Sequence, residues 1–113
     1  MDLFKVFRLR RSYRDAYTDE KVSREDLKTI VEAGLCAPSG KNAQTTHFVI
    51  IDDPEVLKQI GALSGARKCL TMASAMIACI VDRQPEKIYQ GYDFQVEDCA
   101  AAVENMLLAI TAL

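Results

Sequence analysis

Five cations, Lys5, Arg8, Arg10, Arg11 and Arg14, fall within ten residues that contain no acid. The whole chain carries a formal charge of −2, so the remainder is net acidic and the cluster is a local feature. A phosphate dianion is held best by several charge-assisted donors that converge on it. Arginine supplies planar forks, and Ser12, set between Arg11 and Arg14, adds a hydroxyl. Each such bond contributes about 1.5–3 kcal/mol. A plainer role fits the same residues: cations at the end of a helix complement its dipole, and Arg or Lys stems cover apolar surface. A second group of chemically useful residues lies further on, in Ala37-Pro38-Ser39-Gly40-Lys41-Asn42-Ala43-Gln44. Small residues let a flat ring approach the backbone. Asn42 and Gln44 can each donate and accept, which suits a pyrimidine edge or a polyol chain. Taken alone, the same composition describes an ordinary helix-to-strand connection.

The elements that must position these groups can be read from caps and periodicity. Asp2 to about Arg10 reads as a helix, with Leu3, Phe4, Val6 and Phe7 as an apolar stripe, and Arg11 to Val22 is polar and irregular. Ser23 is an N-cap with Asp26 in the place of a capping-box acid. Leu27, Ile30, Val31 and Leu35 continue that helix, which has ended by Pro38 and Gly40. His47 to Ile51 is expected as a short buried strand. Asp53-Pro54-Glu55 is a strong helix start, a capping acid followed by proline at the first helical position. That helix should run to about Leu63, with Ser64-Gly65 as its break. Ala75 to Val81 predicts a second, central strand, though its alanines leave a helix possible. The polar loop from Asp82 to Gly91 carries Pro85. From about Asp93 the chain should be helical again, with Val96, Ala100, Val103, Leu107 and Ile110 recurring at spacings of three and four as the buried face. No glycine, proline or polar stop ends that helix before Leu113. The expectation is a chain that continues in a longer protein, or one whose end another chain covers.

The two motifs gain weight from their order. Arg-Arg-Ser-x-Arg at Arg10–Arg14, then Ala-Pro-Ser-Gly-Lys-Asn-x-Gln at Ala37–Gln44, then His-Phe-Val-Ile-Ile at His47–Ile51 resembles the FMN-dependent nitroreductase family. Arg67-Lys68 with the apolar run behind it, and Val103-Glu104-Asn105-Met106-Leu107-Leu108-Ala109, extend the similarity. The resemblance implies an α+β fold, a central mixed sheet flanked by helices, in a domain-intertwined homodimer with FMN at the subunit interface. Residues 1–113 would be a single domain that lacks its C-terminal part. By position, Arg10, Arg11, Ser12 and Arg14 would hold the phosphate and ribityl chain. Pro38, Ser39, Gly40 and Asn42 would line the flavin from the other subunit, with Gln44 as a neighbour. Lys68 matches a basic position near the pyrimidine edge, where a cation stabilises negative charge on the reduced ring. The chain departs from the family at Thr45-Thr46, where proline followed by an aromatic residue is common, and this weakens any inference about substrate.

The implied activity is that of an oxidoreductase. NAD(P)H would reduce FMN by hydride transfer and leave, and an electron-poor acceptor such as a nitroaromatic or a quinone would then take the electrons in the same place. The alternatives are a truncated FMN-binding or dimerisation fragment with little activity, and a related flavin enzyme such as an enone reductase or a dehalogenase. The resemblance requires no nucleophile or catalytic side chain. His47 is expected to be structural or solvent-facing, while Tyr89 and Tyr92 sit in a loop where they could touch substrate.

Composition narrows the field further. At 50% hydrophobic and 27% charged residues the chain is ordinary for a globular domain, and its negative charge argues against a general nucleic-acid binder. No apolar run reaches the ~18 residues of a membrane span, and the first residues do not resemble a secretory leader. Cys36, Cys69, Cys79 and Cys99 make no C-x-x-C pair and are expected as buried, reduced thiols, hence a cytoplasmic location. A single histidine with no paired ligands gives zinc nothing to bind.

Overall fold

The computed structural model describes residues 1–65, 67–82 and 87–113, so the expected loop proline, Pro85, lies outside the described residues. Capping determines where most helices begin. Asp2 accepts from the Phe4 N–H at 3.0 Å and opens α1, Leu3–Leu9. Ser23 Oγ accepts from the Asp26 N–H at 3.0 Å while its own hydroxyl donates to Asp26 Oδ2 at 2.7 Å, opening α2, Arg24–Leu35. Asp53 Oδ1 accepts from the N–H groups of Glu55 and Val56, and α3 follows as Pro54–Leu63 with proline in its first turn. These three starts agree with the sequence reading, since a capping side chain satisfies backbone donors that a helix cannot satisfy itself.

A short helix, α4 (Lys68–Met72), was not expected. Its preceding residue, Arg67, offers no capping side chain, so no local signal marks it. It packs on α3, where a Cβ at Gly61 would lie 3.3 Å from the Leu70 carbonyl oxygen, so a larger residue there would need the neighbouring backbone to give way. Lys68, anticipated just before a strand, therefore stands at the first position of α4.

Two strands, β1 (Thr46–Ile51) and β2 (Met76–Val81), pair antiparallel from Thr46↔Val81 to Ile51↔Met76. Both fall where apolar runs predict them and, with the helices, give the α+β class. Neither is buried as expected: Val49, Ile80 and Val81 are exposed, and in the two-stranded sheet of the described residues β2 has one neighbour only. The longest helix, α5 (Gln95–Ala112), packs against α2 and the sheet. Gly34 marks that junction, because a Cβ there would meet both Met106 and Phe48 at about 3.1 Å. Asn105 Nδ2 ties the helices together by donating to the Ala33 carbonyl at 3.2 Å. Leu27, Ile30, Ala102 and Met106 form the buried centre, with Val6 of α1 among the other buried side chains.

The face of α5 that is buried differs from expectation. The stripe Val96–Ala100–Val103–Leu107–Ile110 was expected inside, yet Val96 is 78% exposed and Ile110 50%. The buried line is Asp98–Ala102–Met106 instead. α5 is apolar on two sides, and periodicity alone does not say which side the rest of this chain covers. The second side borders an open apolar groove of about 610 Å³ between α2, β2 and α5. The cysteines are also corrected in part: all four are free, but Cys36 and Cys69 are exposed, while Cys79 and Cys99 are half-buried. Burial pushes the Cys79 thiol up, and the Cys99 thiol beside it adds to that shift, so Cys79 stays a protonated, weakly reactive thiol at neutral pH.

Candidate functional site

The basic run leaves α1 as an irregular segment whose residues from Arg11 to Arg14 face solvent. Arg10 caps α1 with its backbone N–H on the Val6 carbonyl. Its guanidinium Nε lies 3.7 Å from Glu104 Oε1 on α5, in a partly exposed pair. Arg11 lies 5.9 Å from the centroid of the Tyr13 ring, and Tyr13 stacks on Tyr17. Arg11, Ser12 and Arg14 are exposed. Neither Arg11 nor Arg14 forms a salt bridge among the described residues. The dipole role accounts for Arg8, in the last turn of α1, but not for cations that continue beyond the helix end. Two guanidinium groups without a carboxylate partner among the described residues, and a hydroxyl, on one exposed segment suit an anion with several acceptor oxygens.

The Pro38–Gln44 loop is built in the opposite way. Lys41, Asn42 and Gln44 all have φ of +53°, a left-handed conformation that non-glycine residues adopt at a cost of about 1–3 kcal/mol each. Several contacts hold them there. Gln44 N–H donates to Ser39 Oγ at 3.1 Å, Lys41 Nζ sits 4.5 Å over the Tyr89 ring, and Gly40 N–H donates to Asp98 Oδ1 on α5 at 3.0 Å. The fit at Gly40 is close, since a Cβ there would fall 2.5 Å from the Phe94 ring. Pro38, Ser39, Asn42 and Gln44 share one cavity of about 90 Å³ with Thr46 and Asp98.

The structure thus brings the loop residues together but keeps the arginines apart from them. Both groups meet α5, the loop at Asp98 and Arg10 at Glu104. Six residues of helix separate these anchor points by roughly 9 Å along the axis and roughly 120° around it. Lys68 is elsewhere, exposed at the start of α4, and does not border the loop cavity. His47 is exposed as expected and pairs with Asp82 Oδ2 at 2.9 Å, beside the Thr46↔Val81 end of the two-stranded sheet. Tyr89 and Tyr92 bridge to each other through reciprocal backbone hydrogen bonds of 3.0 and 2.8 Å, which places Tyr89 under Lys41.

Three residues that shape the loop were missed in the sequence. Asp98 is 8% exposed, Phe94 has φ of +60°, and Thr45 is the most deeply buried side chain among the described residues. Asp98 did leave a signal, as the one acid on the i, i+4, i+8 line it forms with Ala102 and Met106. Thr45, in the family-divergent pair, accepts the Asp82 N–H at 3.0 Å through its carbonyl and so extends the β1–β2 pairing by one further bond.

The fold defines an α+β protein in which a cationic segment and a small-residue loop both meet one long helix. The profile of the nitroreductase family matches residues 8–68, which contain both motifs and Lys68. The chain belongs to the nitroreductase family. A relative in Archaeoglobus fulgidus, provisionally named an NADH dehydrogenase/NAD(P)H nitroreductase, is 38% identical over 112 residues, covering 99% of this chain and 63% of its own length. A Desulfovibrio desulfuricans protein provisionally named a nitroreductase and solved in complex with FMN is 36% identical with a TM-score of 0.75, covering 97% of this chain and 62% of that one. A Bacteroides fragilis nitroreductase with bound FMN is 27% identical with a TM-score of 0.80, covering 99% of this chain and 65% of that one. The chain spans about three-fifths of the length of the curated relatives it matches. Among the described residues no helix is long and apolar enough to cross a membrane.

Proposed function

We propose that this chain forms the FMN-holding part of an NAD(P)H-dependent oxidoreductase that reduces nitroaromatics, quinones or similar electron-poor acceptors. One observation carries the reading. The chain presents two ligand-ready surfaces on different sides of α5, and the cavity that the loop encloses, about 90 Å³, is far below the ~300–1,000 Å³ of ordinary small-molecule sites. A composite site, with the arginine segment of one copy facing the loop of another, resolves that mismatch. The exposed apolar stripe of α5 favours such a pairing, because large exposed apolar surfaces mark interaction sites.

The donor set fits FMN. Arg10, Arg11, Ser12 and Arg14 bind the phosphate and ribityl end, Arg10 by exchanging its partly exposed Glu104 partner for a dianion. Pro38, Ser39, Gly40 and Asn42 give the ring a flat, small-residue wall, with Gln44 at its margin. Lys68 is assigned the stabilisation of negative charge on the ring. FMN, when bound, supplies the hydride and electron chemistry, and the protein supplies orientation and electrostatics.

The test is direct. The purified chain is mixed with FMN, freed of excess, and its visible spectrum and size are recorded. A retained flavin absorbance in a species of dimer size is expected, together with NADH oxidation by a quinone above the rate with free FMN. A preparation that gains no flavin bands overturns the reading. Flavin retention without turnover identifies a binding fragment.

A further inference from the structure

Asp98 lies far from the loop in sequence and directly against it in space. Its side chain is buried, at 8% exposure. Oδ1 accepts the Gly40 N–H at 3.0 Å. Oδ2 is also buried, has no hydrogen-bond partner among the described residues, and belongs to a side chain lining the same small cavity as Pro38, Ser39, Asn42 and Gln44. Thr46 Oγ1, on that cavity too, is likewise unpartnered. A buried carboxylate with one oxygen unsatisfied is costly, and native proteins retain such groups where they serve a purpose. The neighbouring geometry is over-determined. Asp98 N–H donates to the Phe94 carbonyl at 2.9 Å, Phe94 has a left-handed backbone, and its ring fills the space where a Gly40 side chain would be. The first turn of α5 and the loop therefore hold each other's shape. The favourable position of an acid in that turn, near the positive end of the helix dipole, does not explain the choice of this residue, since Glu97 beside it meets the same need from an exposed site.

We propose that Asp98 is the positioning residue of the flavin-lining loop, keeping Asn42 and Gln44 in their left-handed conformations before any ligand arrives. The proposal rests on the FMN reading for what the loop is shaped to receive, but not for the shape itself. Pre-shaping matters because a loop that must be ordered on binding gives up affinity to do so.

Amide hydrogen exchange and FMN titration on the full chain test this separately. In the ligand-free parent the Gly40 amide is protected. Asp98→Ala should speed its exchange about tenfold, the size of one lost hydrogen bond, while the Ala102 and Met106 amides change little. FMN affinity should fall by a similar factor. Asp98→Asn, whose Oδ1 still accepts, should stay within about twofold of the parent on both measures. Exchange that rises equally along α5 would make Asp98 a general structural residue and overturn the proposal. So would Asp98→Asn that protects Gly40 yet loses FMN, since that places Oδ2 in direct contact with the ligand. Should Asp98→Ala fail to fold, Asp98→Asn decides alone: unprotected Gly40 rejects the role, and protected Gly40 with retained FMN affinity supports it. If the parent binds no FMN, the flavin reading fails while the Gly40 exchange still reports on positioning.

Discussion

The arginine segment and the Pro38–Gln44 loop differ most in what holds them. The first projects from α1 with exposed side chains and one weak ion pair, Arg10 to Glu104 at 3.7 Å. The second is clamped by hydrogen bonds from Gln44 and Gly40 and by the Phe94 ring, in a conformation its own residues disfavour. One region stores charge and leaves its geometry to the ligand. The other stores geometry and carries little charge. Backbone strain is tolerated where the surroundings enforce it, and exposed charge is cheap because water solvates it until a partner arrives. Ligand affinity should therefore depend most on the first region, and folding stability on the second.

The largest effect tests the charged side. Replacing both Arg10 and Arg14 with alanine removes two sets of charge-assisted bonds, each worth about 1.5–3 kcal/mol, and should weaken FMN binding by about 100-fold or more. The midpoint of urea unfolding should barely move, because neither guanidinium is buried. Fluorescence titration and denaturant melts measure the two. Unchanged affinity would remove the phosphate assignment and return the cluster to the role of a helix-end cap.

The next effect tests the shaped side. Gly40→Ala drives a Cβ to 2.5 Å from the Phe94 ring, so the ring or the loop must shift. Overpacking of this kind costs about 1–3 kcal/mol, and the loss should appear in the urea midpoint of the ligand-free chain. Equal stability with weaker FMN binding would mean that the loop, like the arginines, is shaped by its ligand, and the contrast between the regions would collapse.

This contrast also explains what the sequence revealed. The cap residues Asp2, Ser23 and Asp53 act within a few positions, so the starts of α1, α2 and α3 were legible. The strands were legible because their apolar runs are short and bounded by polar breaks, although the alanines of the second run left a helix open. The arginine segment was legible too, since charge is written in residue type. The loop was recognisable by composition but not by conformation. Its left-handed residues are lysine, asparagine and glutamine, and what holds Gly40 against α5 is Asp98, 58 positions away. Long-range contacts of that sort leave no local signature, and neither does the packing of α4 against Gly61. The burial of Asp98 in place of the Val96–Ile110 stripe has the same origin: α5 offers two apolar sides, and tertiary packing chose between them.

The smallest effect is the most discriminating, because affinity should rise without any gain in stability. Glu104 is Arg10's only acidic partner among the described residues, and at 3.7 Å in a partly exposed setting the pair should add under about 0.5 kcal/mol to stability. Glu104→Gln removes a negative charge from the neighbourhood of the proposed phosphate and frees Arg10 to turn toward it. A unit charge at a moderate distance near a protein surface is worth about 1 kcal/mol or less at low salt. FMN affinity should therefore rise about two- to threefold while the melting midpoint stays the same or falls slightly. Raising the salt should erase the gain, since surface charges beyond about 8–10 Å are screened at physiological ionic strength. A fall in affinity at low salt would give the pair a different meaning: Glu104 would then aim Arg10 at the phosphate, and the charged segment would share the pre-shaping that otherwise distinguishes the loop.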